Sequence, residues 1–212
     1  MKYKIENGSV TITGSDLNVT GDLIIPETIN DVPVTTIGES AFYGYSGLTS
    51  VTIPNSVTVI GVEAFSGCSG LTSVTLPSNI SSIGDSAFAN CTGLTKVTLP
   101  NSITYIGIEA FYNCYRLTNV TLPESVTSIG ESAFEECSGL TSVIIGNSVT
   151  SIGIYAFYLC RGLTSVTIPD GVTFIGDKAF YWCSGLTEVT IPNKLKNIGT
   201  DAFPVETNII CK

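Results

Sequence analysis

Residues 48–70 read LTSVTIPNSVTVIGVEAFSGCSG, and residues 71–93 read LTSVTLPSNISSIGDSAFANCTG. The same 23-residue unit returns without insertion at 94–116, 117–139, 140–162, 163–185 and 186–208, after a looser copy at 23–47. No other property of the chain constrains its fold as much. One such unit is too small to bury its own apolar face, whereas a stack of units shares a continuous core. The period therefore predicts a single solenoid of about eight units with no linker.

Numbering the unit from Leu48, apolar residues recur at positions 1, 4, 6, 10, 13, 17, 18 and 21. Positions 4 and 6 alternate with polar 3 and 5, the period of a half-buried strand. Position 7 is proline in six of the seven full units, with Gly146 the exception. Proline has no N–H for a ladder, so the strand ends there. Positions 17, 18 and 21 have the spacing of one inward helical face. Position 14 is glycine in every unit, the mark of a sharp bend or a close backbone approach. An acid follows it: Glu39, Asp85, Glu131 and Asp177 at position 15, Glu63, Glu109 and Asp201 at position 16. A helix start is where a carboxylate meets free N–H groups. The expected architecture is thus an α/β-type repeat solenoid, with one parallel β-sheet and short helical turns.

The ends break the pattern. Around Asn7-Gly8, YKIENGSVTIT carries a hairpin signal. Residues 1–22 are read as an N-terminal capping hairpin or strand, 23–208 as the array and 209–212 as a closing strand. In the last unit Pro204 interrupts the helical pattern and Glu206 replaces the recurrent cysteine. The N-terminus lacks the continuous apolar stretch of a signal peptide.

The hallmark IP…IG…AF…C, as in LTSVTIPNSVTVIGVEAFSGCSG, resembles the BspA-type leucine-rich repeat of bacteria and protozoa. The resemblance runs from residue 23 through essentially the rest of the chain. It implies a right-handed leucine-rich-repeat superhelix and a cell-surface or secreted binding protein. It further implies adhesion to a protein or glycan, a host matrix protein or another microbe's surface. It supplies no catalytic residue. Commoner leucine-rich repeats carry a backbone-bonding Asn or Cys at position 9, where this chain holds Ser56, Asn79, Ser102, Ser125, Ser148, Gly171 and Lys194.

Enzyme chemistry finds little support. With no histidine, Ser/His and Cys/His nucleophile pairs and most catalytic zinc sites are excluded. The carboxylates are spread one per unit, without the clustering of a calcium loop or the pairing of a glycosidase. Cys68, Cys91, Cys114, Cys137, Cys160 and Cys183 stand 23 residues apart. Stacked at ~4.8 Å with parallel directions, they lack the convergence of a disulfide or a zinc site. They are expected as a reduced, buried ladder. No cofactor or metal is expected. A net charge of −9 argues against a nucleic-acid partner, and no run is long and apolar enough for membrane insertion. Nothing fixes an oligomeric state; a monomer is favoured.

Function is therefore sought at outward positions that vary. Positions 3 and 5 give a nearly neutral hydroxyl face through Ser73, Thr75, Lys96, Thr98, Asn119, Thr121, Ser142, Ile144, Ser165, Thr167 and Glu188. A second candidate surface is an aromatic row on the other side: Tyr105, Tyr112, Tyr155, Tyr158, Phe174, Tyr181 and Trp182. Each has a structural alternative. Threonine pairs well across strands, and exposed rings can shield a core edge. The leading expectation is a non-enzymatic, adhesin-like binding solenoid. The alternatives are a spacer that displays something else, or an ice-binding Ser/Thr face.

Overall fold

The 23-residue unit is one turn of a β-solenoid. The computed structural model describes residues 1–15 and 19–212. Residues 16–18 of the expected N-terminal cap lie outside the described residues. About nine turns stack, one more than the repeat count, because the strand Ser9–Gly14 already belongs to the pile. It pairs in parallel with Val32–Ile37, placing Ile12 against Ile37. Lys2–Glu6 folds back on it as an antiparallel hairpin, with left-handed Asn7 (φ 50°) and Gly8 (φ 74°) at the tip. Asn208–Cys211 pairs with Glu188–Ile191 at the other end.

Each turn contributes two strands, so the single sheet expected from positions 3–6 is one of two rows of strands, and its own row divides into two sheets between Ser142–Ile144 and Ser165–Thr167. The expected face is built from three- to five-residue strands such as Ser73–Thr75 and Lys96–Thr98, in register one unit apart. The second ladder uses positions 12 and 13, as in Tyr105–Ile106 on Ser82–Ile83 and Ser128–Ile129. Two-residue strands carry no alternation to read, which is why periodicity misses them.

The segment after the glycine contains no helix, a correction to the short helical turns expected there. Its N–H groups alternate between two partners. Ala64, Ser66 and Cys68 donate to the carbonyl three residues back in the same turn. Glu63, Phe65 and Gly67 donate across to Asp85, Ala87 and Ala89 of the next turn. That alternation requires left-handed residues, and positions 16 and 20 supply them, with Glu63 at φ 53° and Gly67 at φ 74°. The acids accordingly cap turns instead of helices. Asp85 Oδ1 accepts the Ile108 N–H at 2.8 Å, and Asp177 Oδ1 accepts that of Thr200 at 2.7 Å.

Inside, Phe42, Phe65, Phe88, Phe111, Phe134, Phe157 and Phe180 form a continuous ring stack, each fully buried. Their centroids lie 5.0–5.6 Å apart with planes within 8° of parallel. Such close stacking needs close backbones. A Cβ at Gly107 would fall 2.6 Å from the Ile83 carbonyl oxygen and 2.8 Å from the Gly84 carbonyl carbon. The recurrent glycine thus answers to close approach. At position 9 the hydroxyl of Ser125 donates to the Ile103 carbonyl of the previous turn at 2.6 Å, so serine here does locally what asparagine does elsewhere.

Candidate functional site

The six repeat cysteines are fully buried and free. Each thiol donates to the carbonyl of the phenylalanine 26 residues earlier, for example Cys114 to Phe88 at 3.2 Å. Burial pushes Cys137 up to about 12 and Cys91, Cys114 and Cys160 well above the ordinary thiol range. A thiol that is neither ionised nor reachable is no nucleophile. Cys211 is the exposed one. Among the described residues no group of three His, Cys, Asp or Glu side chains could hold a metal ion. No described helix is long and apolar enough to cross a membrane.

On the sheet face, Ser73, Thr75, Lys96, Thr98, Asn119, Thr121, Ser142, Ile144, Ser165, Thr167 and Glu188 all lie exposed. The valine between each outward pair points into the core. Threonines at position 2 are occupied: Thr72, Thr95, Thr118 and Thr141 each donate to the position-2 carbonyl of the turn before. The outward threonines at position 5 have no such bond among the described residues, which leaves their hydroxyls to solvent or a ligand. The face is not uniform. Ser73–Thr75 and Lys96–Thr98 pair at three positions, but Lys96–Thr98 and Asn119–Thr121 pair only at Lys96↔Asn119. Where these strands part lies an open groove of about 610 Å³ lined by Lys96, Thr98, Asn119 and Thr121. Two residues that break the Ser/Thr uniformity, Lys96 and Asn119, therefore meet at one concavity. Ile144 borders a separate hollow of about 340 Å³, next to Ser142, Ser165 and Thr167. Glu188 lines neither.

The aromatic row divides into three parts. Tyr155, Tyr158, Tyr181 and Trp182 form one cluster. Tyr155 meets Tyr158 edge-on at 5.3 Å, Tyr158 stacks on Tyr181 at 6.3 Å, and Tyr181 meets Trp182 edge-on at 5.7 Å. Lys178 Nζ sits 5.8 Å from the Tyr155 ring centre and 6.0 Å from that of Tyr181, within cation–π range. Tyr112 stands apart among carboxylates. Burial raises its phenol first, and the charges of Glu136, Glu135 and Glu109 add to the rise. Tyr105 and Phe174 belong to the second ladder, where they pair with serines and an asparagine of neighbouring turns. Burial and then the charge of Asp85 raise the Tyr105 phenol.

The structure adds residues to this side. Tyr115 and Arg161, at position 22, line a hollow of about 280 Å³ with Glu136 and Leu159. Val205 and Pro204 line a second one, of about 340 Å³, with Tyr181 and Trp182. The sequence carries a signal for the first pair: position 22 is otherwise Ser or Thr, as in Ser69, Thr92, Ser138 and Ser184.

Known proteins share this architecture. The BspA type leucine rich repeat region matches in six copies, over residues 35–161 and 104–210. A leucine rich repeat protein of T. pallidum is 33% identical, with 87% of each chain covered and a TM-score of 0.83. A leucine rich cell surface protein of Faecalibacterium prausnitzii is 29% identical over 99% of this chain and 74% of its own, at a TM-score of 0.72. A leucine-rich repeat protein of Bacteroides ovatus is 26% identical over 99% and 69%, at 0.54. No curated protein matches the chain.

Proposed function

Because the chain belongs to the BspA-type leucine-rich repeat proteins, we propose that it is a non-enzymatic, adhesin-like interaction module that recognises a protein through its hydroxyl sheet face. The observation that carries this reading is the open groove where Lys96–Thr98 and Asn119–Thr121 part. A repeat made only of Ser-x-Thr strands would present the same row in every turn. This chain instead sets a cation and an amide side by side at the concavity. Lys96 offers a mobile positive charge, Asn119 both a donor and an acceptor, and Thr98 and Thr121 hydroxyls of either sense. A rigid stack holds these groups without the ordering cost of a loop. We place the module at the cell surface or outside the cell, in line with the surface protein of F. prausnitzii that it resembles.

The test is capture on immobilised host matrix proteins and glycans, comparing wild type with Lys96→Ala/Asn119→Ala. The double variant should bind a captured partner at least about tenfold more weakly, as a lost hot spot does. Its melting temperature should stay within about 2 °C, since both positions are exposed. Equal capture by the variant would refute the sheet-face reading. Absence of any partner would favour a spacer that only displays other parts.

A further inference from the structure

Position 20 is left-handed in seven successive turns, at φ between 54° and 74°. It begins with residues suited to that backbone, Gly44 and Gly67, then Asn90 and Asn113. It then becomes Glu136, Leu159 and Trp182, each at φ 60°. Left-handed backbone disfavours such side chains by about 1–2 kcal/mol relative to glycine. The core does not call for them. The Ala, Phe and Cys of this segment are buried equally well in turns that carry glycine or asparagine at position 20. Trp182 remains 55% exposed and Val205, at the same position one turn on, 91%. The chain thus places Glu136, Leu159 and Trp182 at a backbone that opposes them over three consecutive turns, the first two half-buried and Trp182 outward.

These residues line the two side hollows, Leu159 and Glu136 in the first, Trp182 and Val205 in the second. The second is mostly apolar, with Tyr181 and Trp182 set as a corner at 75°. Glu136 lines the first, and the charges of Glu136, Glu109 and Glu131 reach Glu135 next to it in the chain. None of the four is in an ion pair among the described residues. Burial raises the Glu135 carboxyl, and its three acidic neighbours raise it further, though the Ser132 hydrogen bond opposes them. The nearby cations are Lys178, already over two tyrosines, and Arg161. An apolar corner therefore lies two turns from an acidic patch whose four carboxylates form no ion pair among the described residues.

We propose that this side docks a basic polypeptide segment of a partner protein, with an apolar side chain seated in the Trp182 hollow and Lys or Arg heads over Glu135 and Glu136. The two contact points are two turns apart, roughly 10 Å at ~4.8 Å per turn, the reach of about three extended residues. The site rests on the chain being an interaction module but not on the sheet-face groove, and the two can fail separately.

The probe is a fluorescein-labelled 12-residue leucine–lysine peptide, with a leucine–glutamate peptide as its counterpart, read by anisotropy on the full chain. In Trp182→Gly the relief of the left-handed backbone offsets the lost edge contact with Tyr181, so the fold should stay intact with a melting temperature within about 2 °C of wild type. This variant should weaken the lysine peptide at least about tenfold. Glu135→Gln/Glu136→Gln should weaken it and flatten its salt dependence. Glu27→Gln/Asp31→Asn, the same charge change elsewhere, should not, and Lys96→Ala/Asn119→Ala should bind the probe as wild type does. Any of four results would overturn the proposal: Trp182→Gly within twofold of wild type, equal loss in the distant charge variant, equal binding of the glutamate peptide, or Trp182-dependent self-association without peptide binding.

Discussion

Phe134→Ala tests the ring stack and the thiol ladder together. Phe134 is fully buried and lies 5.3 Å from Phe111 on one side and 5.3 Å from Phe157 on the other. Its carbonyl accepts the Cys160 thiol at 3.1 Å. Truncating a buried phenylalanine costs about 3–5 kcal/mol. In a solenoid each turn contacts only its neighbours, so that cost falls on local opening. The thiols report it. In wild type at pH 8, a group held at about 12, as in Cys137, is ionised to roughly one part in 10⁴, against about a quarter for a free cysteine. Native protein should therefore release one fast equivalent, Cys211, and six slow ones. In Phe134→Ala, 3–5 kcal/mol corresponds to roughly 10²–10⁴-fold faster labelling of Cys137 and Cys160. Cys68, three turns from Cys137, should change far less. Site-resolved mass spectrometry after timed alkylation gives each rate. Unchanged Cys137 and Cys160 would refute the packing argument, and equal acceleration of Cys68 would refute the nearest-neighbour accounting. Six fast thiols in wild type would overturn the buried ladder itself.

Gly107→Ala should lower the melting temperature by roughly 2–12 °C, from about 1–3 kcal/mol of overpacking, because its Cβ would strike the Ile83 and Gly84 backbone; calorimetry decides, and an unchanged value would mean the turns can separate freely. Glu135→Gln should raise the melting temperature at pH 7 by no more than about 2 °C. The folded carboxyl titrates above its unfolded value, so its ionised form opposes folding, and that penalty is absent below about pH 4 and grows as pH rises through the carboxylate range. Thermal melts at pH 3.5 and 7 should therefore show the gain only at the higher pH. A cold-stage assay should find no thermal hysteresis, since Lys96, Asn119, Ile144 and Glu188 interrupt the hydroxyl face; ice shaping would refute that reasoning.

The stack, its period and its buried set were readable from the sequence because every turn repeats the same burial. Leu48, Val51, Ile53, Val57, Ile60, Ala64, Phe65 and Cys68 were picked out by recurrence, and all are buried. Helical turns were not a safe inference from the same recurrence. Spacing i, i+1, i+4 is common to a helix and to linked tight turns, and only the left-handed residues separate them. Position 16 holds Ser40, Glu63, Ser86, Glu109, Ser132, Tyr155, Lys178 and Asp201, residues too varied to mark a backbone type. The thiol environment was foreseeable from stacking alone. The groove at Lys96 and Asn119 was not, since it follows from how two strands part, which the residues on either face do not reveal.

What distinguishes a constraint of the fold from a candidate for binding, in a chain like this, is the direction in which a departure from the repeat moves the energy. Asn7 and Gly8 satisfy a left-handed backbone that asparagine and glycine accept, and Pro54 ends a strand where proline fits, so they need no partner to account for them. Trp182 and Leu159 run the other way. They replace glycine and asparagine at a left-handed site, and although Leu159 is half-buried, Trp182 stands half in solvent. Lys96 and Asn119 are intermediate. They cost the strand little, for an exposed strand position accepts most residues, and so their case depends on the groove between them. The side with Trp182 therefore carries the stronger physical argument for selection by something outside the chain, although the sheet face carries the larger concavity. A concavity can arise from strand geometry alone, whereas the left-handed backbone at position 20 supplies no preference of its own for a half-exposed tryptophan.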